Sequence, residues 1–352
     1  MTSERTRVYL TFDVEGAEAR TIRGVAWPPQ GYEPRVWGRF ANSRAELGLR
    51  FVLGELEAAG LAGTFFVETF GSQVFGRERL AEICREIKSR GHDVQLHAHP
   101  IQGAGREGES DQMADYDEET QVTLLREGIE VLVACGIPLG GVVGFRAGHF
   151  GADNRTWRAM GKVGLRVGSN YNPCYFHRCK IKTAAAAPGL FPGEDGVWEL
   201  PITTFAETHG GHRHLQVTAI SLLEMRHALV EARRLRMREV TIVAHPFEFF
   251  YIDSIPERRG RPNNVNRWRL RGLCRYLAEH RDDFEVETVG ALAARIAPAP
   301  QNVAPGAVAS PSLAGRRIFR MERLAEQVLK RLEASLPVGI NLVRDRPETR
   351  IA

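Results

Sequence analysis

Asp13 and Glu15 stand two residues apart in Thr11-Phe12-Asp13-Val14-Glu15-Gly16, and His97 and His99 stand two apart in His97-Ala98-His99-Pro100. Side chains alternate along an extended strand, so each pair shares one face. Two carboxylates on a face can divide hydrolytic work, one as general base and one as a hard metal ligand. Two imidazoles plus one carboxylate give three protein ligands and leave a position for water, the open arrangement of a catalytic metal site. A third segment, Val243-Ala244-His245-Pro246, ends in a histidine suited to general acid catalysis or to holding transition-state charge, with Glu248 close enough to orient it. Arg146, in Gly144-Phe145-Arg146-Ala147-Gly148-His149, can keep a neighbouring carboxylate ionised.

A parallel α/β barrel gathers such strand ends at its C-terminal rim. Arg7 to Val14 reads as a strand with Val8, Leu10, Phe12 and Val14 on one face and Tyr9, Thr11, Asp13 and Glu15 on the other. Further strands are expected at 63–68, 93–99, 141–146, 165–169, 197–204, 239–245 and 284–289. Helices are expected at 42–59, capped by Asn42, and at 77–90, 117–135, 154–163, 222–237 and 264–280. Repeated strand–helix units predict a parallel sheet covered by helices, and seven or eight strands a closed or nearly closed barrel, an open doubly wound sheet being the alternative. No G-x-G-x-x-G follows the first strand, which argues against dinucleotide binding.

With 352 residues, 43% of them hydrophobic, the chain can bury one large core and carry a small appendage. The net charge of +4 is mild and the basic residues are scattered, so no nucleic-acid footprint is indicated. Met1 to Arg7 has no apolar signal region, and no apolar run approaches the ~20 residues that span a bilayer. The five cysteines (84, 135, 174, 179 and 274) then read as reduced thiols, and the expected compartment is cytoplasmic. An aromatic loop at 24–38, holding Trp27 and Trp37, follows the carboxylate pair directly, and 172–196 is a second long insertion. Cys174, His177 and Cys179 lack a second ligand cluster of zinc-finger spacing. His209, His212 and His214 form a His-rich loop suited to substrate contact or adventitious metal, and His92 reads as structural. Residues 297–315 are a Pro- and Ala-rich linker. The tail that follows, 316–352, opens with a helix placing Ile318, Met321, Ala325, Val328 and Leu332 on one face. This helix is expected to pack on the barrel or at a dimer contact, while its basic face allows weak contact with a membrane surface.

These segments, in this order, resemble the motifs of the polysaccharide deacetylase family, also called the NodB-homology domain or carbohydrate esterase family 4. Thr11 to Gly16 resembles the TFDDG motif. Gly91-His92-Asp93, followed by His97 and His99-Pro100, resembles the second motif, and Phe145-Arg146-Ala147-Gly148 the third. Trp198-Glu199-Leu200-Pro201 resembles the fourth and Ile242-Val243-Ala244-His245-Pro246 the fifth. The resemblance covers about residues 7 to 296. It implies a distorted (β/α)₇ barrel over residues 1–296 and metal-assisted removal of an N-acetyl group from a sugar. It makes Asp13 the base, His245 the acid and Arg146 the tether of the base, with Glu15, His97 and His99 holding the metal.

Two positions depart from the family pattern. Val14 stands where the family has its second aspartate, so Glu15 must supply the metal oxygen from a shifted register. One residue, where the family usually has three, separates the two histidines. Zn²⁺ is the default for two histidines and a carboxylate, and Co²⁺, Ni²⁺ or Mn²⁺ suit similar ligands. Trp27, Trp37, His149, Trp198 and Glu248 are the candidate substrate contacts. The implied partner is a small-molecule or lipid-linked acetylated sugar, and a homo-oligomer is compatible with the sequence. The rival readings are a cyclic imide or ureide amidohydrolase, like the allantoin-hydrolysing subgroup of the same fold, and a non-catalytic carbohydrate-binding protein.

Overall fold

A computed structural model describes residues 4–17, 20–22, 25–103, 105–106, 109–184, 186–207, 211–300, 311–312 and 317–335, without the side chains of 20–22, 25–27 and 317. The strands that build the site are β1 (Thr6–Val14), β2 (Thr64–Glu68), β3 (Asp93–Ala98), β4 (Gly144–Ala147), β5 (Val167–Gly168), β6 (Trp198–Glu199), β7 (Glu239–Ala244) and β8 (Phe284–Val286). The first seven lie in the order β7-β1-β2-β3-β4-β5-β6, all pairings parallel. β8 pairs only with the start of β1, Thr6 opposite Phe284. The sheet curls into a distorted (β/α)₇ barrel. Its seam lies between β6 and β7, where Thr203 N donates to Thr241 O at 3.3 Å and Val217 N to Val243 O at 3.1 Å.

The covering helices are α1 (Leu49–Ala58), α2 (Arg77–Ser89), α3 (Glu118–Ala134), α4 (Asn154–Lys162), α5 (Leu222–Arg234) and α6 (Asn264–Glu279). They bury their apolar faces against the outer faces of the strands, in one core with Val8, Leu10, Phe12, Phe65, Leu96 and Ile242. A second cluster fills the barrel at the N-terminal ends of the strands. There α7 (Val289–Arg295) sets Val289 and Leu292 against Tyr9, Phe66, Val167 and Leu200. Val289 N donates to Thr64 Oγ1 and Gly290 N to Asp93 Oδ2, both at 2.9 Å, which pins α7 beneath β2 and β3. This floor leaves the opposite rim as the open end.

Several expected elements are shorter than their sequence patterns: the strands expected at 165–169 and 284–289 are confined to Val167–Gly168 and Phe284–Val286, and Val289 opens α7. The helix expected from Asn42 begins at Leu49, because Asn42 exchanges hydrogen bonds with the Gly260 backbone, donating at 2.9 Å and accepting at 3.0 Å. The strand expected over 197–204 stops at Glu199, since Pro201 cannot donate to a ladder. Thr204–Ala206 instead forms an antiparallel pair with His212–His214. The tail helix α8 (Arg317–Ser335) rests on α5 and α6. Among the described residues no helix is long and apolar enough to cross a membrane.

Candidate active site

Asp13 and Glu15 lie at and just beyond the end of β1, His97 and His99 at and beyond that of β3, and His245 directly after β7. All five line one cleft of about 230 Å³, with Arg35, His149, Phe150, Tyr175, Gln216 and Phe247 around them. The parallel register explains the convergence: Asp13 sits opposite Phe66 of β2, and His97 sits opposite both Glu68 and Arg146.

Arg146 is fully buried beneath the cleft. Its Nη1 meets Asp13 Oδ1 at 2.5 Å, and its Nη2 donates to Thr11 Oγ1 and to Ser169 Oγ, each at 2.9 Å. Its Nε donates to Ser169 O at 3.2 Å, and the guanidinium stacks 4.2 Å from the Phe66 ring centroid. The other Asp13 oxygen, Oδ2, lies 3.8 Å from His245 Nε2. Glu248 sits behind His245. Its Oε2 accepts from His245 N at 3.1 Å and its Oε1 lies 3.2 Å from Nδ1. Glu248 is itself held by Gln216 at 2.5 Å and Thr218 at 3.0 Å. Burial disfavours the His245 imidazolium, but Glu248, Asp13 and Glu15 outweigh it and raise its pKa to about 8.

The second group converges on Glu15 Oε2, which lies 3.3 Å from His97 Nε2 and 2.8 Å from His99 Nε2. Glu15 Oε1 is turned away by Arg35 Nη2 at 3.0 Å. Each imidazole is oriented from behind. His97 Nδ1 donates to Arg146 O at 2.7 Å, and His99 Nδ1 lies 2.9 Å from Asp111 Oδ2. Burial would raise the Glu15 pKa, yet His99, His97 and Arg35 hold it well below the usual carboxylate range. Burial would likewise lower His99, but Glu15 and Asp111 lift it well above the usual imidazole value.

This donor set fits a divalent cation. The two Nε2 atoms and one carboxylate oxygen lie within 4.8 Å of one another, and both Nδ1 atoms are engaged elsewhere, as in metal sites whose ligands are oriented from behind. His99, Asp111 and His149 form a second cluster within the same limit, sharing His99 with the first. His149 and Phe150 both adopt left-handed backbone, φ 52° and 58°, in the turn after Arg146. Gly148 is required there, since a Cβ would stand 2.5 Å from His99 Nδ1.

The expected substrate contacts divide. His149 lines the cleft, its Nε2 3.0 Å from Asp111 Oδ2. Glu248 stands behind His245 rather than on the cleft wall. Trp37 is fully buried in the core, beneath Arg39 at 4.5 Å. Trp198 points away from the cleft and donates its indole N–H to Ala297 O at 2.8 Å. The side chain of Trp27 lies outside the described residues, as does His209. His214 stacks on Tyr175 at 5.4 Å. Among the described residues, Cys174, His177 and Cys179 do not gather into a metal cluster. His92 is structural as expected, accepting from Gly63 N at 3.2 Å.

The sequence does not single out Arg35, Asp111, Tyr175 or Phe247, and it presents Glu199 only within the fourth motif. Glu199 had a signal, since the alternation that turns Trp198 outward turns its neighbour inward. Glu199 is fully buried and accepts from Trp157 Nε1 and Tyr171 N, both at 2.7 Å.

No family model matches this sequence, and no curated protein matches it. Solved structures do. A protein from Mycobacterium smegmatis described as a polysaccharide deacetylase aligns over 86% of this chain and 95% of its own, at 20% identity and a TM-score of 0.51. A Streptomyces lividans family 4 carbohydrate esterase, solved with acetate, aligns over 84% and 98% at 14% identity and a TM-score of 0.42. The Bacillus subtilis peptidoglycan deacetylase PdaC aligns over 84% and 93% at 11% identity and a TM-score of 0.36. The first of these carries the comparison. This chain has the NodB-type barrel fold of the polysaccharide deacetylases.

Proposed function

We propose that this chain is a metal-dependent hydrolase that removes the acetyl group from an acetamido sugar, free or lipid-linked. One observation carries the reading: Asp13, held from beneath by Arg146, His245, and the Glu15, His97, His99 group all face a single cleft at the open rim. Glu15, His97 and His99 would hold the divalent cation, with Zn²⁺ the default and Co²⁺, Ni²⁺ or Mn²⁺ as alternatives. When bound, that cation supplies Lewis-acid polarisation of the amide carbonyl and makes the attacking water more acidic.

The chain's own residues supply the proton transfers. Asp13, held in place by Arg146, accepts a proton from the water as its oxygen bonds to the acetyl carbon. His245, protonated at neutral pH, gives a proton to the sugar nitrogen as the C–N bond breaks. The products are acetate and the free amino sugar. Glu248 holds His245 in place and keeps it protonated. Phe150, Tyr175 and Phe247 offer aromatic surface to a sugar ring. The resemblance of the five sequence motifs, and the fold shared with polysaccharide deacetylases, support the same reaction.

Metal content per chain by elemental mass spectrometry, followed by acetate release from acetamido sugars, tests the reading. About one equivalent of metal is expected, since the two candidate ligand groups share His99, with acetate release that a chelator abolishes. Turnover of a cyclic imide without metal, and no acetate from any acetamido sugar, would overturn it.

A further inference from the structure

The tail helix α8 is docked with its charged side inward. Glu322 accepts from Ser221 Oγ at 3.0 Å, Glu326 meets Arg269 Nη2 at 2.6 Å, and Glu333 accepts from Asn264 Nδ2 at 2.7 Å. These are all three carboxylates of the helix. The outer side carries Ile318, Met321, Leu324, Val328, Leu329 and Leu332, between 41% and 69% exposed. An ordinary surface helix buries such a stripe and exposes its charges. Single exposed apolar side chains are common, but a contiguous row along about four helical turns marks an interaction surface.

The charge on that outer side has one sign. Arg320 and Arg331 are exposed, and neither meets a carboxylate among the described residues. We propose that α8 is the docking face for an anionic lipid surface. The helix lies in the plane of the interface, with its apolar row among the upper acyl chains and its arginines at the phosphates. Charge complementarity selects this occupant: a surface of apolar side chains whose exposed charges, Arg320 and Arg331, are cations matches a bilayer whose headgroups are anions. A second copy matches less well, because antiparallel pairing of two such faces brings Arg320 of one against Arg331 of the other.

Flotation of the full chain with vesicles tests the proposal. Recovery is expected with phosphatidylcholine vesicles carrying about a third phosphatidylglycerol, and much less with phosphatidylcholine alone or at high salt. Leu324→Glu with Val328→Glu should cut recovery at least about tenfold. Both side chains are exposed, so this variant keeps its fold, which circular dichroism checks. Arg320→Glu with Arg331→Glu should erase the preference for anionic vesicles. The proposal is overturned if the wild type stays with the soluble fraction, or if the Leu324→Glu/Val328→Glu chain floats as well as the wild type. It is also overturned if the wild type is a dimer that this variant dissociates, which would give the face to a second copy. Flotation needs no turnover, so its failure and failure of the proposed reaction are read separately.

Discussion

His97 donates from Nδ1 to the carbonyl oxygen of Arg146 at 2.7 Å, while the Arg146 guanidinium holds Asp13 at 2.5 Å. One residue of β4 therefore joins a candidate metal ligand on β3 to the candidate base on β1. Its backbone serves the ligand and its side chain serves the base, so substitution can separate the two tasks.

Arg146→Lys is expected to lower kcat by about 100-fold or more while leaving metal content intact. A single ammonium cannot reproduce the contacts to Asp13, Thr11 and Ser169, but the carbonyl that orients His97 remains. Acetate release and elemental analysis on the same sample check this. Loss of metal together with activity would mean that the side chain supports the whole site rather than the base.

Metal loading is expected to release protons. Glu15 and Asp111 hold the His99 pKa above its ordinary value against the pull of burial, so the metal-free chain keeps a proton at the 2.8 Å contact between His99 Nε2 and Glu15. A cation needs the neutral imidazole, so binding displaces that proton and weakens as pH falls. Calorimetric titration in two buffers of different ionisation enthalpy measures the release. Asp111→Asn should reduce it by removing one of the charges that raise His99. His97→Ala with His99→Ala should abolish binding.

The proposed acid sets the alkaline limit of activity. His245 titrates at about 8, and it must be protonated to donate, so kcat/KM is expected to hold below that pH and to fall above it. Glu248 is the largest contributor among the groups that raise this value. Glu248→Gln keeps the shape of the contact and removes the charge, so the alkaline limb should move to lower pH. A limb that stays in place would assign it to another group.

Strand periodicity made much of the site legible. Asp13 with Glu15 and His97 with His99 were readable as facing pairs because alternation is local. The same rule, carried one residue further, turns Glu199 rather than Trp198 into the interior, where it is buried against Trp157 and Tyr171. Residues supplied by irregular segments were not readable. Arg35 reaches Glu15 from a turn of helix inside the aromatic loop, and Asp111 reaches His99 from the loop between β3 and α3. No period links either position to its partner. Trp37 misled for a related reason: an aromatic loop beside a carboxylate pair looks like a sugar platform, but this indole is consumed by the core. The tail helix showed its two faces in the sequence, yet which face docks depends on Arg269 and Asn264, distant in the chain.

That docking links the tail to the proposed acid. Glu326 holds Arg269, whose Nη1 donates to Val217 O at 3.2 Å and Thr218 O at 3.0 Å, and Thr218 Oγ1 donates to Glu248, the partner of His245. Arg269 is fully buried. Removing its partner leaves an uncompensated charge at a cost of about 3–5 kcal/mol, while replacing both members with apolar residues of similar volume is near neutral. The helix can relieve that cost by leaving the barrel and letting Arg269 hydrate. Glu326→Ala should therefore speed amide exchange across 317–335 by roughly a hundredfold or more, with the strands still protected. Arg269→Met with Glu326→Leu should recover much of the lost protection. If kcat falls in Glu326→Ala and not in a Ser335→Ala control, the ordered tail contributes to the placement of His245. Unchanged kcat alongside fast exchange would confine its role to the outer surface.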